Sequence, residues 1–226
     1  MHFIHSFSKN HIGISIWLLV LTILAFFMII IGGLTRLTES GLSMVNWNPI
    51  MGTILPLSHL AWMDAFNNYK ATPEFQIVNR LMSFEEFKYI FWWEWFHRFF
   101  ARLIGLVLIF PFAYFLWFKK LSKNLMITMV IIFFFGLFQA VIGWWMVKSG
   151  LIDNPYVSAY RLALHLTNAL IIFGLLFWLS LSLYFKKYPI GKYKWYWLII
   201  LSIFGSLLFA LPFYYWLNTR KNNIKT

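Results

Sequence analysis

The sequence has no cysteine, which excludes disulfides, thiolate metal sites and cysteine nucleophiles together. It is also poor in acid. Seven Asp and Glu stand against nineteen Lys and Arg, and charged residues make up only 12% of the 226, where a soluble domain carries about 25%. No phosphate-binding glycine loop, serine triad or zinc motif occurs. Apolar side chains fill the space left: 61% of the chain is hydrophobic, 22% is aromatic, and the mean hydropathy is +0.71. Such a chain has the lipid bilayer as its solvent, and rings near the ends of apolar runs match the membrane interface. The formal charge of +12 is not a nucleic-acid footprint, because the lysines are mostly confined to short links between apolar runs and read as orientation signals. Membrane lipid is therefore an expected partner, and nucleic acid is not.

Spanning the hydrocarbon core takes about 20 apolar residues, and five windows qualify: Ile14 to Leu34, Phe91 to Phe118, Leu125 to Val147, Leu162 to Phe185 and Trp195 to Leu217. Helices are the only sensible spans, since an open strand leaves backbone groups unpaired in lipid. The first window is too long for a signal peptide and lacks an Ala-x-Ala cleavage pattern, so it reads as a retained span. The expected fold class is all-α: a polytopic membrane protein with a four-helix transmembrane bundle, a fifth span and a helical outer segment. In domain terms, 1–185 forms the bundle with its outer segment at 35–90, and 186–226 forms the fifth span and a basic tail.

Charge orients the spans. Lys119, Lys120 and Lys123 follow the second window, and Lys186, Lys187, Lys192 and Lys194 follow the fourth, with no acid in either link. Both links belong on the cytoplasmic or matrix side by the positive-inside rule, which places the N-terminus there too. The tail with Arg220, Lys221 and Lys225 then falls outside, against the rule. The long outer segment should fold: Ser58 caps a short helix through Tyr69, Pro73 opens another, and Ser83 with Glu86 forms a capping box that leads into the second span. A helical collar over the outer face follows. A faint repeat is also present, with Ser40-Gly41-Leu42 after the first span and Ser149-Gly150-Leu151 after the third, each followed by a link and a histidine-bearing helix. Two such hairpins suggest internal pseudo-symmetry.

Of six histidines, only His97 and His165 fall inside apolar helices. Both follow an outer boundary by a few residues, about 5–9 Å at the helical rise, so they share a depth. One isolated histidine is most simply explained by a hydrogen bond to a neighbouring helix. A depth-matched pair is what a six-coordinate heme iron requires, with one imidazole on each side of the ring. Glu94, the only acid within the spans, stands one helical turn before His97 and four residues before Arg98. It can serve as a proton donor or acceptor beside the site or pair with Arg98, and the two roles are compatible. Arg98, Arg102 and Arg161 suit carboxylates such as heme propionates, with interfacial snorkelling as the alternative. Gln139 in the third span suits an interhelical hydrogen bond, and Gly32, Gly33, Gly136 and Gly143 permit close helix contact.

Several long motifs then become recognisable in order: Gly32-Gly33-Leu34-Thr35-Arg36-Leu37-Thr38-Glu39-Ser40-Gly41-Leu42-Ser43, Trp47-Asn48-Pro49, Phe91-Trp92-Trp93-Glu94-Trp95-Phe96-His97-Arg98, Gly143-Trp144-Trp145-Met146-Val147-Lys148-Ser149-Gly150-Leu151 and Tyr160-Arg161-Leu162-Ala163-Leu164-His165. Over roughly residues 14 to 185 the chain closely resembles heme A synthase of the proteobacterial and mitochondrial type. The resemblance implies an inner-membrane oxidoreductase, bacterial or mitochondrial, that oxidises the C8 methyl of heme O to a formyl group and so makes heme A for cytochrome oxidase. It implies eight spans in two similar halves, with heme O as substrate in the first half and an electron-relaying heme b in the second. Glu94 is then the essential carboxylate, and His97 and His165 are the iron ligands. Arg98 and Arg161 are the residues expected to bind the cofactor. Glu94→Ala would leave heme bound but stop its conversion.

The sequence departs from that family after the fourth span, since the second histidine pair is not in this chain. Three readings compete: a split enzyme completed by a second chain, a half-size enzyme acting as a homodimer, and a truncated inactive form, which the basic tail favours. The electron donor is not legible. Outside the enzyme class, the same residues suit a bis-histidine heme-b electron carrier or a heme-holding protein.

Overall fold

The computed structural model describes residues 11–45, 54–152 and 155–184. The fifth apolar window and the basic tail lie outside them. The chain divides into two units, Met1–Ser180 and Leu181–Thr226, and the contacts that follow belong to the first.

Among the described residues every regular element is helical: α1 (His11–Leu37), α2 (His59–Lys70), α3 (Pro73–Ile77), α4 (Phe84–Trp117), α5 (Lys123–Ile152) and α6 (Ala159–Tyr184). Four of them, α1, α4, α5 and α6, are long and apolar enough to cross a membrane. The collar helices begin where their capping chemistry places them. Ser58 Oγ accepts from Ala61 N–H, Thr72 Oγ1 accepts from Phe75 N–H ahead of Pro73, and Ser83 and Glu86 close a reciprocal box at the start of α4. That box starts α4 at Phe84, seven residues before the apolar window, because capped polar residues extend a helix that hydropathy alone does not register.

The four long helices close into a ring. α1 runs along α4, and α4 touches α5. Asn168 of α6 bonds to α5, and Phe173 of α6 meets Phe26 of α1 at 6.1 Å between ring centroids. The collar packs over the N-terminal part of α4 through Met44, Phe66, Tyr69, Phe87, Ile90 and Phe91. Within this core Phe87 stacks near Tyr69 at 5.3 Å and Phe66 at 4.9 Å.

Both α1 and α4 end in the same way. Ser40 N–H donates to Thr35 C=O and Glu39 N–H to Arg36 C=O, while Lys120 N–H donates to Phe115 C=O and Lys119 N–H to Leu116 C=O. These are Schellman ends, with Glu39 (φ 52°) and Lys119 (φ 50°) at the left-handed position that glycine usually takes. The repeat seen in the sequence is therefore not a repeat of conformation. Ser40-Gly41-Leu42 forms the turn after α1, whereas Ser149-Gly150-Leu151 continues as the last turn of α5. The two motifs meet instead: a Cβ on Gly150 would lie 2.7 Å from Leu42 Cδ2, so the buried Leu42 occupies the place of the missing side chain.

Pro111 lies inside α4. It lacks an N–H, so the carbonyl four residues earlier, that of Val107, loses its helical donor. Trp17 of α1 supplies one, with Nε1 donating to Val107 O at 2.7 Å while its ring rests 5.5 Å from that of Phe115. Trp17→Phe keeps the ring and removes the donor. It is expected to destabilise the protein by about 1–2 kcal/mol, read as a lower melting midpoint in detergent. In a Pro111→Ala background, where the helix again offers its own N–H, most of that loss should vanish.

Candidate functional site

His97 on α4 and His165 on α6 are both half-buried. Each imidazole lies against a glycine of a different helix. A Cβ built on Gly32 of α1 would stand 3.5 Å from His97 Nε2. One built on Gly143 of α5 would stand 3.2 Å from His165 Cε1 and 3.8 Å from its Nδ1. His165 Nδ1 is buried and has no hydrogen-bond partner among the described residues. One turn along α6, the buried Asn168 donates to Gln139 Oε1 at 2.7 Å and to the Phe135 carbonyl at 3.0 Å, which fixes α6 against α5 close to the His165–Gly143 contact. Gln139 thus makes the interhelical bond expected of it. Asn168 was not singled out from sequence, although a polar residue one turn from a buried histidine signals a shared inward face.

Glu94 is only 2% exposed, and both of its oxygens are engaged. Oε2 accepts from Ser43 Oγ at 2.7 Å and from Met44 N–H at 2.7 Å, and Oε1 pairs with Arg98. Arg98 also donates to the Met44 carbonyl at 3.2 Å. Of the two roles open to Glu94, the ion pair is therefore present. The pair also fastens the turn after α1, with buried Ser40, Leu42, Ser43 and Met44, to the N-terminal half of α4. Nothing local in the sequence links Ser43 and Met44 to an acid some fifty residues on.

Arg98 and Arg161 are not grouped in one cradle. Arg98 serves the Glu94 clamp, and the Arg161 guanidinium lies over the Trp145 ring, 4.6 Å from its centroid, a cation–π contact across the α5–α6 turn.

Above the clamp, the collar holds a second buried acid. Tyr69 Oη donates to Glu74 Oε2 at 3.0 Å, and Asn79 Nδ2 donates to Tyr69 Oη at 2.7 Å. Burial pushes the Glu74 carboxyl from its ordinary 4.5 up to about 7; the Tyr69 hydroxyl opposes this, and the charges of Glu94 and Glu39 add to it. Burial also raises the Tyr69 hydroxyl, with Glu74 charge assisting. A raised carboxyl stabilises the fold when protonated, so this contribution is fully present below pH 4.5 and is lost as pH climbs through about 7. Glu74→Gln should remove that slope and leave the variant more stable than wild type above pH 7, by on the order of 1–3 kcal/mol. Melting curves in detergent from pH 5 to 8.5 check this; parallel curves for the two proteins would contradict it.

A ring of four helices long and apolar enough to cross a membrane, with two imidazoles each set against a glycine of another helix, defines a polytopic membrane protein. The chain belongs to the COX15-CtaA family, described as cytochrome oxidase assembly protein, whose family model matches residues 15–213. It is similar to proteins named heme A synthase. One from Nitrosospira multiformis is 51% identical over 170 residues, covering 75% of this chain and 48% of that protein. One from Parvibaculum lavamentivorans is 47% identical over 174 residues, covering 77% and 51%. One from Flavobacterium johnsoniae is 46% identical over 186 residues, covering 81% and 54%. The chain thus spans about half the length of the curated relatives it matches. No solved structure matches it.

The residues fit a heme iron. The donor set is two imidazoles from different helices, and His165 Nδ1 is a buried polar atom with no hydrogen-bond partner among the described residues.

Proposed function

We propose that the chain takes part in the conversion of heme O to heme A, with heme O as its substrate and His97 and His165 as the residues that hold the iron. The observation carrying this reading is the pair of inward imidazoles on α4 and α6, each lodged against a glycine of another helix, in a chain 46–51% identical to the relatives above. Bound there, the substrate would supply a redox-active macrocycle, and conversion of its C8 methyl to a formyl group would take an oxygen atom from water or dioxygen and give up four electrons, with dioxygen as the oxidant, and four protons. The protein's part is to bind, orient and manage protons. His97 and His165 fix the depth and tilt of the ring. Arg98 and Arg161 are the candidate partners of the heme propionates, and to bind them each would have to share its present contact, Arg98 with Glu94 and Arg161 with the Trp145 ring. Glu94, one turn from His97, is the acid–base group that accepts protons leaving the methyl, its position set by Ser43, Met44 and Arg98.

The same proposal covers the setting. The chain lies in a bacterial inner membrane or the mitochondrial inner membrane with its N-terminus on the cytoplasmic or matrix side. The test is purification in mild detergent, extraction of the pigment, and incubation with heme O, a reductant and oxygen. A six-coordinate bis-histidine spectrum together with heme A as product supports the proposal. A reversible spectrum without product would instead identify an electron carrier, and freely exchangeable heme without turnover a heme-holding protein.

A further inference from the structure

Two glycines stand at the site without any chemistry of their own. Gly32 and Gly143 lie on α1 and α5, the two long helices that carry neither histidine, and each faces one imidazole. The other nearby glycines of the same helices, Gly33 and Gly136, have nothing within 4 Å of a built Cβ. Helix flexibility or general helix packing therefore does not distinguish the members of each pair. What distinguishes them is the imidazole. We infer that Gly143 and Gly32 are positioning residues for His165 and His97, each setting where its imidazole stands by the absence of a side chain. This rests on the reading that the two histidines hold the heme.

The two contacts differ in degree. At Gly143 an added methyl would meet His165 Cε1 at 3.2 Å, inside the usual carbon–carbon optimum of about 3.5–4.0 Å. The imidazole must give by a few tenths of an ångström, and metal–ligand distances tolerate only about 0.2 Å. The Asn168–Gln139 bond holds α6 in place one turn away, so the shift falls on the ring rather than on the helix. At Gly32 the methyl would meet His97 Nε2 at 3.5 Å, an ordinary contact that alanine can make. A branched side chain is needed to push there.

The test uses the full chain in detergent and compares Gly143→Ala with Gly136→Ala, and Gly32→Val with Gly33→Val. Heme per protein after washing, the balance of low-spin and high-spin heme by visible and electron paramagnetic resonance spectra, and the midpoint potential are all read. Expected are a loss of the low-spin signature and an about tenfold fall in retained heme, the range of outer-shell changes at metal sites, in Gly143→Ala and Gly32→Val, with both controls like wild type. Added free imidazole should restore the low-spin signature of Gly143→Ala, which a collapsed bundle would not allow. Alanine is the better helix former by about 1 kcal/mol, so Gly143→Ala remains a fair test even where valine variants fail to accumulate. Wild-type spectra in Gly143→Ala and Gly32→Val would overturn this inference alone. A wild-type protein without bis-histidine heme would overturn the functional reading and this inference with it.

Discussion

Glu94→Ala is expected to lower stability by roughly 3–5 kcal/mol, the range seen when one partner of a buried ion pair is removed. The Arg98 side chain is only 13% exposed and would keep just the Met44 carbonyl as a partner. The Ser43 hydroxyl and the Met44 N–H would lose their acceptor as well, each at about 1–3 kcal/mol if left unsatisfied. The damage should therefore be regional as well as global, freeing the turn at 39–45 and with it the collar packed on Met44. Faster proteolysis of the outer segment, along with a lower melting midpoint, would register it; unchanged cleavage and melting would refute the clamp. Because alanine disturbs both anchoring and proton chemistry, it is a poor probe of catalysis. Glu94→Gln keeps an acceptor for Met44 N–H and removes the carboxylate that would accept a proton. It should retain more of the bound pigment than alanine while abolishing heme A formation, and full product from Glu94→Gln would refute the acid–base role.

The second large effect is at the ligands. Outer-shell partners of metal-bound histidines are worth about 10–100-fold in affinity, so removal of a ligand should cost at least as much, about 1.4–2.7 kcal/mol or more. His97→Ala and His165→Ala are each expected to convert the heme from low-spin to high-spin and to lose most of it on washing. Among the described residues neither imidazole is engaged in a hydrogen-bond network like that of Glu94, and both are half-buried, so the apoprotein should still accumulate and melt near wild type. That contrast separates ligand loss from fold loss. A variant that keeps a wild-type spectrum would remove that histidine from the ligand set.

Much of this was legible in the sequence. The four described spans follow from apolar run length, and the collar follows from Ser58, Pro73 and the Ser83–Glu86 box, because capping chemistry is local. His97 and His165 stood out because polar rings in lipid are costly. What escaped depends on register between helices. That Gly143 rather than Gly136 meets a ring is a matter of which face of α5 turns inward. The partners of Glu94 on the turn after α1 and the perch of Arg161 on Trp145 are set by tertiary packing. The two Ser-Gly-Leu motifs show the limit of reading by likeness: identical residues end one helix in a turn and continue another, since only the first is followed by a segment drawn back onto α4 by Glu94.

The bond from Trp17 to the carbonyl exposed by Pro111 has a mechanical meaning. A donor that fits a single acceptor acts as a one-tooth catch that favours one register of α1 on α4, since a slide by a turn would forfeit the bond to the Val107 carbonyl at about 1–2 kcal/mol.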